Sequence, residues 1–174
     1  VDQKRQVARL ALQLFDQLKD LHGLDLTARD LLYHASLIFD VGAYVNFKDY
    51  HKHSKYLILH GGLRGFNNAE IYILAHLARY HRKAGPKKKH KSYRSLSKEG
   101  QRIVKGLSGI LRIAVALDKT KNQWVENVYC RPLDDKLMIR LFGEGGMELE
   151  LWEAQRFSNV LERFLHLPIQ FELG

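Results

Sequence analysis

Apolar residues recur at three- and four-residue intervals along the first two thirds of this sequence, and the recurrence stops near Lys121. That spacing places side chains on one face of an α-helix, so the first part of the chain must be a set of amphipathic helices packed on each other. Between Lys4 and Leu21 the positions Val7, Leu10, Ala11, Leu14, Phe15, Leu18 and Leu21 share one face, and Gly23 supplies the stop. Thr27 reads as the next N-cap, with Asp30 three positions on and Leu26 and Leu31 spaced as a hydrophobic staple, which predicts a helix to about Phe39. A third helix is expected from His53 to His60, ended by Gly61-Gly62. Asn67 with Glu70 forms a capping-box pattern, and Phe66 with Ile71 a staple, for a helix to about His81. Ser97 caps a fifth helix through Asp118, striped by Ile103, Leu107, Ile110, Leu111, Ala114 and Val115.

Beyond Lys121 the period changes. Residues 123 to 131, 136 to 142 and 148 to 152 are rich in β-favouring residues and are separated by turn-forming stretches, which reads as a meander. Ala154 to Leu165 is helix-like, and Pro168 to Leu173 returns as a strand. The expected fold is mainly α: a multi-helix domain over residues 1–121 followed by a small β-rich α/β C-terminal cap over 122–174.

Charge is the next constraint. The chain carries 28 Lys and Arg against 19 Asp and Glu, a formal net charge of +9. Eight of those cations lie between Arg79 and Arg94, in RYHRKAGPKKKHKSYR, with no acid among them. A field focused in this way concentrates anionic partners. Apart from Tyr80 and Tyr93 the cluster lacks the interleaved aromatics that stack bases, so a nucleic-acid-binding module is the less favoured class of polyanion binder. The single cysteine, Cys130, gives no internal disulfide and points to a reducing cytoplasmic setting. No apolar run is long enough to span a bilayer and the N-terminus has no secretory signal, so a soluble protein with no membrane partner is expected. The sequence opens at Val1 without Met and directly in helix-like residues, which suggests that an upstream portion exists.

Nine histidines are present, eight of them at or before His90, yet none is four residues from another and no HExxH pattern occurs. Capping, packing or phosphate contact is the favoured reading of these rings. Gly61-Gly62 and Gly143 to Gly146 read as turns, and no phosphate-cradling glycine loop is found.

The string LLYHASLIFDVGAYVNFKDYHKHSKYLILHGGLRGFNNAEIYILAHLARYHRKAGPKKKH, with HKHSKYLI at 51–58, Glu70 after GF, and RYHRK at 79–83, resembles the C-terminal, His-Asp-type helical region of the exopolyphosphatase / guanosine pentaphosphate phosphatase family. The likeness runs from LALQLFDQL to RIAVALD at 112–118 and weakens in the β-rich tail. His-Asp phosphohydrolases bind metal through an early His, an adjacent His-Asp pair and a late Asp. Here the pair reads Phe39-Asp40, no His precedes His22, and only Asp40 and Asp118 remain. The resemblance therefore implies no metal site, no cofactor and no catalytic residue in this portion. A metal-dependent His-Asp phosphohydrolase is the alternative, disfavoured by Phe39. Hydrolysis is implied for N-terminal actin-like domains of the same protein, with Mg a candidate cofactor of that full-length phosphoanhydride hydrolase. This portion would hold polyphosphate or a phosphorylated guanosine nucleotide and form a homodimer. The residues assigned to substrate contact are His51, His53, Arg79, His81, Arg82, Lys83, Lys87, Lys88, Lys89 and Arg94.

Overall fold

The computed structural model describes residues 3–174. Its helices are α1 (Gln3–Gln17), α2 (Lys19–His22), α3 (Leu26–Ile38), α4 (Tyr50–His60), α5 (Asn68–Tyr80), α6 (Lys91–Arg94), α7 (Lys98–Ala116), α8 (Glu148–Arg156) and α9 (Asn159–Leu165), with a 3-10 turn at Val41–Tyr44. Strands β1 (Val125–Pro132), β2 (Leu137–Gly143) and β3 (Ile169–Leu173) form one small sheet at the C-terminal end. The five helices expected from periodicity are all present. The first is broken at Leu18 into α1 and α2, and Gly23 ends α2 in a left-handed conformation with φ of 64°.

Two caps match the sequence reading. The Asn67 side chain accepts from Glu70 N while the Glu70 carboxylate accepts from Asn67 N, a reciprocal box at the start of α5. Ser97 Oγ accepts from Gly100 N at 3.0 Å to open α7. The cap of α3 differs: Asp25, not Thr27, accepts from Ala28 N at 2.9 Å, and Leu26 is 77% exposed, so the expected staple with Leu31 does not form. Asp and Thr are both good caps; here Asp25 has the extended backbone that the position needs, and the helix starts two residues earlier.

The tail departs from a simple meander. β1 and β2 pair antiparallel, but β2 and β3 pair parallel, because α8 and α9 intervene and carry the chain back across the sheet. Residues 148–152, expected as a strand, belong to α8. The alternation of ELELW misleads because a period of two over five residues is short enough to fit about one and a half turns of helix as well. Glu150, Glu153 and Ala154 are all buried, which is helical spacing, and Glu150 reaches back to accept from Thr120 N at 2.9 Å.

Both edges of this sheet are closed by glutamine side chains. Gln13 Oε1 accepts from Val128 N, and Gln17 accepts from Cys130 N and donates to Val128 O, so α1 supplies the hydrogen bonds that a neighbouring strand would give β1. Across the sheet, Gln155 of α8 accepts from Phe171 N and donates to Ile169 O on β3. Unpaired strand edges invite association with other strands, and primary amides from packed helices remove that opening.

One hydrophobic core runs through helices and sheet alike, from Val7 and Leu10 through Leu107, Ile110 and Leu111 to Ile139 and Phe171. Helix α7 lies at its centre and touches α1, α3, α5, α8 and α9. Glycine makes the last of these contacts feasible. A Cβ on Gly109 would come within 2.9 Å of the Leu161 backbone, and one on Gly106 within 2.9 Å of the Phe164 ring.

Four buried histidines complete the helical interior. His81 Nδ1 donates to the Ala78 carbonyl, so Nε2 accepts from the Tyr50 hydroxyl at 2.9 Å. Burial pushes the His51 and His76 imidazoles down to about 4 and His81 to about 3, and it lowers His22 as well. All are neutral near pH 7.

Two outcomes follow for stability. Asp25→Ala should cost about 1 kcal/mol in urea unfolding, whereas Thr27→Ala should stay within about 0.5 kcal/mol; the reverse order would place the cap at Thr27. The histidines depress stability on acidification. Their folded pKa values lie below the ordinary 6.5, so below that pH the unfolded chain binds more protons than the folded one. Unfolding free energy should therefore fall as pH drops from about 6.5 towards 4, and His76→Gln should flatten that slope.

Candidate functional site

The residues predicted to contact substrate do not converge on one point. Lys88 and Arg94 line a groove of about 730 Å³ beside α7. Arg79 faces a separate shallow hollow with Lys52, Lys55 and Tyr56. His81, Arg82 and Lys83 line a third cleft, of about 690 Å³, on another part of the surface. Lys87 and Lys89 are exposed on the loop after α5, and His53 is half-buried on α4.

The loop itself is built rather than loose. Tyr93 on α6 is fully buried, and the Tyr80 hydroxyl and His90 Nδ1 are 2.7 Å apart with their rings stacked. Lys55 Nζ donates to Ser92 Oγ, which ties the loop to α4. Arg94 donates to the Lys88 carbonyl at 3.1 Å. These contacts hold the loop so that Lys88 and Arg94 flank one end of the groove beside α7.

That groove gathers cations from three parts of the chain. Lys88 and Arg94 come from the loop, Lys98, Arg102 and Lys105 from α7, and Arg163 from α9, with Gln101, Phe164 and His166 between them. Lys98, Arg102 and Lys105 are spaced i, i+4 and i+7, so they stand on one face of α7. Arg102 is fixed by Glu99 at 3.1 Å and by donation to the His22 and Gly23 carbonyls, while among the described residues no carboxylate lines the groove. His22 lies beneath as a neutral spacer: its Nδ1 accepts from Leu24 N, so Nε2 donates to Phe15 O. Such a surface can hold an extended anion.

The placement of these lysines is unfavourable for the fold taken alone. Like charges at i, i+4 destabilise a helix by about 0.2–0.5 kcal/mol, and Lys98 occupies the first position of α7, where the positive end of the helix dipole disfavours a cation.

The 690 Å³ cleft has a different character. It opens between the end of α3, the start of α4, the ends of α5 and α7, and α8. Arg82, Lys83, Arg112, Lys119, Lys121 and Arg156 line it against two acids, Asp40 and Glu153. Both acids are already engaged: Asp40 pairs with Lys4 at 3.3 Å, and buried Glu153 with Lys119 and Arg156. The Arg82 guanidinium lies over the Tyr50 ring at 4.5 Å, and Arg112 donates to the Tyr80 carbonyl. Burial pushes Arg112 down to about 10, which leaves it protonated at neutral pH.

Phe39 and Asp40 line this same cleft, while Asp118 turns inward, accepting from Gln123 N at 2.9 Å and from the Gln123 amide. Its carboxyl is pushed up by burial. Among the described residues no group of three His, Cys, Asp or Glu converges as a metal-ligand set. His51 and His81 are both buried, and His81, which lines the cleft, has both nitrogens engaged within the protein, so it is not positioned to donate to a phosphate.

Sequence reading missed Lys98, Arg102, Lys105 and Arg163. The first three had a legible signal, a cationic stripe at helical spacing on the polar face of α7. Arg163 had none, because only the close approach of α9 to Gly106 and Gly109 brings it alongside.

The comparison with known families agrees with this architecture. A family model described as Ppx/GppA phosphatase, domain III, matches residues 1–153, and the chain therefore belongs to the Ppx/GppA phosphatase family.

Proposed function

We propose that this chain is the part of a Ppx/GppA phosphatase that holds a linear polyanion, polyphosphate being the ligand that fits best, while hydrolysis is carried by N-terminal domains of the same protein. The observation that carries this reading is the groove of six cations from the loop, α7 and α9 with no carboxylate among its lining residues. Polyphosphate presents closely spaced anionic oxygens with no bases or shape to read, so a row of Lys point charges and Arg forks suffices to bind it. The unfavourable stacking of Lys98, Arg102 and Lys105 on one helical face is relieved when a polyanion lies along it. A dimer would lengthen the path across two chains. Among the described residues no helix is long and apolar enough to cross a membrane.

The test is binding of polyphosphate of two chain lengths at two salt concentrations. The chain should bind the longer polymer more tightly, lose affinity steeply with salt, and release no phosphate. Lys98→Ala with Lys105→Ala should weaken binding about tenfold, equivalent to about 1.4 kcal/mol, with the unfolding midpoint unchanged or slightly raised because both side chains are exposed and repel Arg102. Replacement of Lys87, Lys88 and Lys89 by Ala should weaken it further. Unchanged affinity in the α7 double variant would remove the groove from the binding path. Preference for duplex DNA at matched charge would move the reading to a nucleic-acid module.

A further inference from the structure

The cleft between α5, α7 and α8 holds two guanidinium groups whose charge the protein does not neutralise. Among the described residues neither Arg82 nor Arg112 has a carboxylate within ion-pair distance, although Arg112 is only 4% exposed and Arg82 is half-buried. Arg82 Nη1 and Arg112 Nε are both buried and lack a hydrogen-bond partner. A buried cation without a counter-charge is among the costliest arrangements in a protein interior, and a buried donor left unpaired adds to the cost. The acids nearby do not offset it: Asp40 forms an ion pair with Lys4, its Oδ1 otherwise lacking a hydrogen bond, and Glu153 is shared by Lys119 and Arg156. The cleft thus keeps a surplus of positive charge beside donors that have nothing to bind.

Its shape and lining narrow the ligand. The cleft, of about 690 Å³, is close in volume to the groove along α7. It is, however, walled by the end of α3, the start of α4, the ends of α5 and α7, and α8, and that enclosure suits a small molecule rather than a polymer. The planar guanidinium forks of Arg82 and Arg112 suit the oxygens of a phosphate or carboxylate bidentately. At the rim, Phe47 lines the cleft while remaining 70% exposed, with its ring 5.4 Å from that of Tyr50. An exposed aromatic ring beside an anion site is suited to stack against a planar group carried by the same ligand.

We propose that this cleft is a second anion site, separate from the groove along α7, in which Arg82 and Arg112 bind the phosphate group of a small phosphorylated ligand. The proposal does not rest on the polyphosphate reading, since the two surfaces share no lining residue. Arg82 supplies a donor from the end of α5, Arg112 supplies one from α7, and Tyr50 holds Arg82 in place through its ring. His81 is a positioning residue: its Nε2 accepts the Tyr50 hydroxyl and so fixes the ring on which Arg82 rests.

The experiment is calorimetric titration of the 174-residue chain with inorganic phosphate, pyrophosphate and a nucleoside monophosphate, at physiological salt. One saturable site is expected for at least one of the three, weakened at least tenfold in Arg82→Gln and in Arg112→Gln. The Lys98→Ala, Lys105→Ala double variant should bind these small ligands like the parent. Phe47→Ala distinguishes the sources: it weakens the nucleoside monophosphate and spares phosphate if a planar group is stacked at the rim, and spares both if the phosphate group alone is recognised. If Arg112→Gln fails to fold by circular dichroism, Arg82→Gln decides, because its side chain is at a helix end. Absence of saturable binding for all three at millimolar concentration, or parental affinity in Arg82→Gln, overturns the proposal; so does loss of binding in the α7 double variant.

Discussion

Helix α7 is the element on which the rest of the structure depends. Its apolar face is buried along nearly its whole length, and the two glycines at 106 and 109 let α9 approach so closely that no side chain could stand between them. This contact draws the C-terminal segment onto the helical body. The glutamines of α1 complete the attachment by bonding the outer edge of β1. Because the core is continuous across these contacts, the sheet and the helices stabilise one another.

The same helix sets the two cationic surfaces apart. Its exposed face near the N-terminus carries Lys98, Arg102 and Lys105 into the groove, while its buried face nearer the C-terminus carries Arg112 into the cleft. The first surface is open, solvated and multivalent, which favours a long, flexible anion bound by many weak contacts. The second is partly enclosed and holds Arg112 away from water, which favours one compact anion bound by a few strong contacts. Net charge alone, at +9, does not distinguish these cases. Burial and pairing do.

Much of the helical body was legible because amphipathic period and capping chemistry agree. Asn67 with Glu70 and Ser97 before α7 are local signals, and the structure realises both. The errors share one physical cause, which is that tertiary contacts decided between locally acceptable alternatives. Asp25 and Thr27 could each cap α3, and backbone conformation chose Asp25. ELELW could be strand or helix, and the hydrogen bond from Thr120 N to the buried Glu150 goes with helix. For the sites, a run of adjacent cations such as Lys87 to Lys89 draws attention in a sequence, whereas cations spread over α7 and α9 do not, although they line one groove together. Arg112 carries no signal in the sequence, and only its burial without a carboxylate partner among the described residues marks it as unusual.

The central claim is that an extended polyanion lies along α7 between the basic loop and α9. Amide chemical-shift mapping of the isotopically labelled chain during titration with short polyphosphate tests it most directly. The account predicts saturable shifts over residues 88 to 105 and 163 to 166, reversed by added salt, with little change over β2 at residues 137 to 143. Shifts centred on the sheet, or none in the α7 segment at low salt, would contradict it.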